Sequence, residues 1–136
     1  MASLNDFPLN DVIGAVRRVN DRSWDRSGRL FKEVDLILPI EDARLVCAAA
    51  LWIDVLITAE AKTDRGSAFS FDDLYWMIKE KTQALKLQKS DEKWLQLGRL
   101  EMKMMMDIET HLDRYASRAS NSPSKKWSGS KKGKKN

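Results

Sequence analysis

One cysteine and one histidine set the first limits on this chain of 136 residues. Cys47 has no partner for an internal disulfide and cannot seed a cysteine-rich zinc site. His111, standing alone, excludes a histidine-based metal cluster. With 6 glycines and 3 prolines, the chain shows no phosphate-binding glycine loop and no Gly-x-Ser-x-Gly elbow. No metal, cofactor or enzymatic chemistry is therefore expected. The N-terminus carries no cationic segment followed by an apolar core, so no secretory signal is expected either. No apolar run approaches the roughly 20 residues needed to cross a bilayer. These absences point to a reducing compartment, cytoplasmic or nuclear, and to no membrane partner.

What is present begins with Leu45 to Ile57, an apolar stretch interrupted only by Asp54. Its Ala48-Ala49-Ala50 triplet and the lead-in Glu41-Asp42-Ala43-Arg44 favour helix over strand. A helix apolar on all sides must be wrapped by others, so this one is expected at the centre of the core, or at a dimer seam. It should begin around Pro39 to Asp42 and end near Lys62, before a turn at Thr63-Asp64-Arg65-Gly66-Ser67.

Upstream, Asn10 or Ser3 is placed to cap a first helix with Leu9, Val12, Val16 and Val19 inward, followed by Leu30 and Val34. Arg18, Arg22, Arg26 and Arg29 would then form a flank on one unbroken helix. Gly28 could instead end that helix. Asp21 and Asp25 lie within a turn of these arginines, which makes a neutralised surface lattice the competing reading.

Downstream, Ser70-Phe71-Asp72-Asp73 resembles a capping box. The helix it opens puts Phe71, Leu74, Tyr75, Ile78 and Leu85 on one face. A last helix starting at Ser90-Asp91-Glu92 would carry a heptad-like seam of Trp94, Leu97, Glu101, Met104, Ile108, His111 and Tyr115. Met102, Met104, Met105 and Met106 soften its middle, either as core filler or as an adaptable surface. Asp107, one turn before His111, suggests a seam-lining or solvated histidine rather than a catalytic one.

The expected fold is all-α: three to four helices in antiparallel hairpins forming a bundle over residues 1–116, with a flexible basic tail at 117–136. No stretch alternates with period two for long enough to demand a sheet. The central run, the seam and the methionines together offer more apolar face than one hairpin covers, which suggests a homodimer.

The charge is uneven. Seven of the 24 basic residues lie in 117–136 with no acid among them, while all 20 acids precede them. The body is thus slightly acidic and the tail alone makes the protein basic. Lys125, Lys126, Trp127, Lys131, Lys132, Lys134 and Lys135 combine phosphate-seeking ammonium groups with an aromatic able to stack on a base. Binding of nucleic acid, RNA first, is the leading expectation, with the arginine flank as a second contact line. A solubilising tail or a nuclear import signal are the alternatives.

Trp76 invites a second reading. At 100° per residue it falls opposite Leu74, among Asp72, Asp73 and Glu80, where it would either anchor a basic protein partner or pack on another helix. Phe71-Asp72-Asp73-Leu74-Tyr75-Trp76-Met77-Ile78-Lys79-Glu80, followed by Leu85-Lys86, resembles the first helix of the C-terminal hairpin in the influenza-type (orthomyxovirus) nuclear export protein. That resemblance implies a tryptophan among acids contacting a viral matrix protein, and a second helix returning after a short turn. Leu30-Phe31, Val34, Leu36 and Leu38 could then imitate an export signal. The chain departs from that family in its alanine-rich apolar run and its lysine tail. Its general character is also similar to small viral helical proteins that bind double-stranded RNA and suppress silencing.

Overall fold

The computed structural model describes residues 6–60 and 69–120. Its elements run α1 (Leu9–Asp21), β1 (Glu33–Pro39), α2 (Ile40–Glu60), α3 (Phe71–Leu87), β2 (Glu92–Gly98) and α4 (Arg99–Ser120). The all-α expectation is therefore corrected. Four helices are joined by a two-stranded antiparallel sheet, which replaces a purely helical bundle.

Both strands obey period two over seven residues. Leu36 and Leu38 of β1, and Leu95 and Leu97 of β2, are buried, while Asp35, Ile37, Trp94 and Gln96 face outward. A two-stranded ribbon is marginal alone; here the helices cover its leucine face. Trp94 and Leu97 accordingly belong to β2 and not to a helical seam. The seam that α4 does bury is Met102, Met105, Ile108 and Leu112, with His111 beside them.

Each strand passes into its helix without a loop. Pro39 ends β1 and Ile40 opens α2; Gly98 ends β2 and Arg99 opens α4. At the second junction the Gly98 N–H donates to Glu101 Oε1 at 2.9 Å, satisfying a donor that the helix start leaves open.

α1 stops at Asp21, short of both outcomes expected for it, and no side chain caps its start, which falls after Pro8. Residues 22–32 form a loop built on Asp25. Its carboxylate accepts the Ser27 N–H at 2.8 Å, the Ser27 hydroxyl at 2.7 Å and the Arg29 N–H at 3.0 Å. These bonds, first that from the Ser27 hydroxyl, hold the Asp25 carboxyl below its ordinary range. Gly28 takes φ +83° there, a left-handed conformation suited to glycine. Ser70 caps α3 as the sequence suggests, its hydroxyl accepting from the Asp73 N–H at 3.1 Å.

The two halves repeat one plan, helix–strand–helix. The ladder pairs Leu36 with Leu95, Ile37 with Trp94 and Asp35 with Gln96. A local two-fold axis through the Leu36–Leu95 pair thus exchanges the strands. At one constant offset, buried Ala43, Val46, Ala49 and Ile53 of α2 correspond to buried Met102, Met105, Ile108 and Leu112 of α4. At a second offset, three residues longer than that of the strands and of α2 with α4, Val12, Ala15, Val16 and Asn20 of α1 match Leu74, Met77, Ile78 and Thr82 of α3, all buried. Packing follows suit: α1 lies against α4 as α3 lies against α2. One continuous core results, drawing on α2, the methionines of α4 and both strands. The apolar faces that suggest a dimer in the sequence largely cover one another within a single chain.

Candidate protein-interaction surface

The outer side of α3 carries the most exposed tryptophan among the described residues. Trp76 is 66% exposed, while Phe71, Leu74, Met77 and Ile78 on the same helix are buried. The sequence dictates this. With apolar residues at 71, 74, 78 and 85, the helix must turn the side chain at 76 to solvent. Asp72, Asp73 and Glu80 are exposed on the same element. The neighbouring Tyr75 ring meets the Trp76 ring edge-on, centroids 5.5 Å apart at 76°, a favoured aromatic geometry. Lys79 lies over the Tyr75 ring at 5.5 Å and donates to its hydroxyl at 3.2 Å. Trp76 is thereby braced from one side while its other face stays in water. The four residues proposed from sequence for a partner do share one exposed region.

Of the four arginines only Arg18 lies in α1, and Arg22, Arg26 and Arg29 follow its end. Arg18 makes a forked contact with Asp42, 2.7 and 3.2 Å, tying α1 to the first turn of α2. Its guanidinium pKa is pushed up, first by that hydrogen bond. Arg22, just past the end of α1, donates to the Ile37 carbonyl of β1 at 3.0 Å. Arg26 and Arg29 sit exposed in the loop, off the helix. The flank expected on one unbroken helix is corrected: the loop built on Asp25 takes over after Asp21. The outer face of the ribbon would not replace it, since Glu33, Asp35 and Glu92 are exposed there and would repel phosphate. Lys125, Lys126, Trp127, Lys131, Lys132, Lys134 and Lys135, and the turn at 63–67, lie outside the described residues.

His111 lines the core at 5% exposure, its ring 4.6 Å from that of Phe71 and its Nε2 4.0 Å from Asp107. Among the described residues no group of three or more His, Cys, Asp or Glu side chains is arranged to hold a metal ion. None of the helices there is long and apolar enough to cross a membrane.

Sequence reasoning missed two features. Trp94 and Ile37 are cross-strand neighbours exposed on the ribbon, 51% and 37%; the alternation of Trp94-Leu95-Gln96-Leu97 was the available signal. A cavity of about 740 Å³ opens between α2 and α3, lined by Cys47 and by Arg44, Lys79, Lys86 and Lys93. Its signal was the recurrence of Lys79, Thr82 and Lys86 at helical spacing.

No family model, curated protein or solved structure matches the chain. Two details of the geometry bear on the resemblance to the viral export proteins. A strand stands between α3 and α4 where that family has a turn, and Leu36 and Leu38 are buried in β1 rather than presented as a linear signal.

Proposed function

We propose that this chain is a non-enzymatic adaptor that binds a basic segment of a partner protein through α3. Trp76 is the anchor, and Asp72, Asp73 and Glu80 supply the complementary field. The observation that carries this reading is the exposure of Trp76 in an acidic surround on a helix whose opposite face is locked in the core. Tryptophan is enriched among residues that dominate binding energy. Flanking carboxylates speed encounter with a cationic partner and add a salt-dependent component. The resemblance to the export-protein helix supports the same use of the same residues.

RNA binding is the competing function. Its arginine line is drawn along a helix unbroken through residue 29, whereas α1 ends at Asp21; the tail lysines are its other support.

Arginine- and lysine-rich peptides titrated against the full chain discriminate the two. Trp76→Ala should weaken peptide binding by about 2 kcal/mol or more and leave the melting temperature unchanged. Asp72→Asn/Asp73→Asn/Glu80→Gln should slow association and flatten its salt dependence. Unaltered peptide affinity in Trp76→Ala would end the adaptor reading. Salt-sensitive binding of RNA, lost on removing residues 121–136, would favour the tail instead.

A further inference from the structure

The two-fold plan of the fold provides two equivalent grooves, and only one is filled. Between α1 and α4, Asn20 Nδ2 donates to the Met105 carbonyl at 3.2 Å and to Glu109 Oε1 at 2.8 Å. Glu109 also accepts from Arg17 Nε at 2.9 Å. A carboxylate thus closes this groove between a cation and a buried polar side chain.

The repeat pairs that groove with the one between α3 and α2. By the two offsets that align the buried positions, Lys79 corresponds to Arg17, Thr82 to Asn20 and Ala50 to Glu109. The carboxylate is missing. In its place is the cavity of about 740 Å³, lined by Lys79, Thr82 and Ala50 together. Thr82 is 5% exposed and its hydroxyl has no hydrogen-bond partner, whereas Asn20 in the other groove donates through Nδ2 and leaves only its Oδ1 unpartnered; a buried polar side chain without any hydrogen bond is costly. Arg44, Lys86 and Lys93 join Lys79 around the cavity, and no acidic side chain lines it. The rest of the wall is chiefly hydrocarbon, including Ala43, Ala48, Leu51 and Leu85. The volume lies within the roughly 300–1,000 Å³ typical of small-molecule sites.

We propose that this cavity binds a long-chain carboxylic acid of the fatty-acid class. Its carboxylate takes the place that Glu109 occupies in the other half, against Lys79 and Thr82. Its hydrocarbon body lies along Ala43, Ala48, Leu51 and Leu85. Four cations and no anion select the charged head; the alanine-rich wall selects the apolar body.

Cys47 makes the test direct, because it is the chain's single cysteine and it lines the cavity. The full chain is labelled with methyl methanethiosulfonate alone, with laurate and with 1-dodecanol. Laurate should slow labelling in a saturable way, and dodecanol, with the same tail and no charge, should do so only weakly. Lys79→Met and Thr82→Val should each raise the half-saturating laurate concentration roughly tenfold, the worth of one charge-assisted hydrogen bond. Lys103→Met, exposed on α4 and outside the cavity, should leave it unchanged. Ala50→Glu restores the missing carboxylate from within the protein. It should abolish protection by laurate and raise the melting temperature; should it not fold, Lys79→Met decides. The proposal is overturned if laurate leaves the labelling rate unchanged, if dodecanol protects equally well, or if Lys79→Met binds laurate like the wild type.

Discussion

Leu51 and Leu56 offer a sharp test of where the stability of this fold resides. Both lie in the apolar run of α2, and composition alone treats them alike. The structure separates them: Leu56 is fully buried in the core, whereas Leu51 is 42% exposed beside the cavity. Leu56→Ala removes about 1.5–3 kcal/mol of transfer free energy. It also leaves a hole whose cost rises by about 24 cal/mol per Å³, for a total of about 2–5 kcal/mol. Leu51→Ala removes little more than half the transfer term and opens no new hole, so about 1 kcal/mol is expected. For a domain of this size, 1 kcal/mol corresponds to roughly 2–8 °C in melting temperature. Thermal unfolding followed by circular dichroism should therefore show a fall of about 10 °C or more for Leu56→Ala, and several-fold less for Leu51→Ala. Equal losses would show that the helix is rotated from the orientation described, and with it the cavity wall.

The unequal grooves predict unequal responses to losing a polar group. Asn20→Ala should destabilise by about 1–3 kcal/mol in urea unfolding, because it strips a buried donor from Met105 and Glu109, whereas Thr82→Val should be neutral or stabilising in ligand-free protein; the reverse order would contradict the assignment. Asp25 gives a pH prediction: its folded pKa is lowered, so its contribution is present above the unfolded carboxyl value and is lost as pH falls through the lower folded one. Carboxyl resonances followed by NMR should place its titration below that of an ordinary aspartate, and a midpoint at or above the ordinary value would mean the loop is not built on this carboxylate.

The sequence yields its helices more readily than its strands, for a physical reason. The interior of α2, the Ser70 cap and the inward face of α3 each follow from one local pattern: an apolar run, a hydroxyl three residues before an acid, and helical spacing of large side chains. The strands give shorter signals. Leu36-Ile37-Leu38 reads as a continuous apolar run because outward-facing Ile37 is itself apolar. Trp94, Leu97, Glu101 and Met104 happen to satisfy helical spacing across the β2–α4 junction. Neither strand is stable without the other, and their pairing joins residues some sixty positions apart, so no local window contains it. The Trp76 surface was legible because a single helix defines it. The cavity was not, because its walls come from α2, α3 and β2 together.

Ala48-Ala49-Ala50 takes on a second meaning in this light. Within the run the triplet argues for helix, which is what forms. Across the two-fold axis, however, Ala43, Ala49 and Ala50 stand opposite Met102, Ile108 and Glu109 in the equivalent helix. At these three positions α2 therefore carries smaller side chains than α4, on the same backbone plan. A core that needed only to be filled would place comparable volumes at equivalent positions, since voids forfeit dispersion contacts. Here the small residues at the core positions let α2 sit centrally, while the one at residue 50 removes both the volume and the charge that close the other groove. Lys79 and Thr82 correspond to Arg17 and Asn20 without the carboxylate that accepts from those two, and Lys79 donates to the Tyr75 hydroxyl instead. A groove retaining its cation and its buried hydroxyl, but not its acid, is shaped to receive that acid from outside the chain.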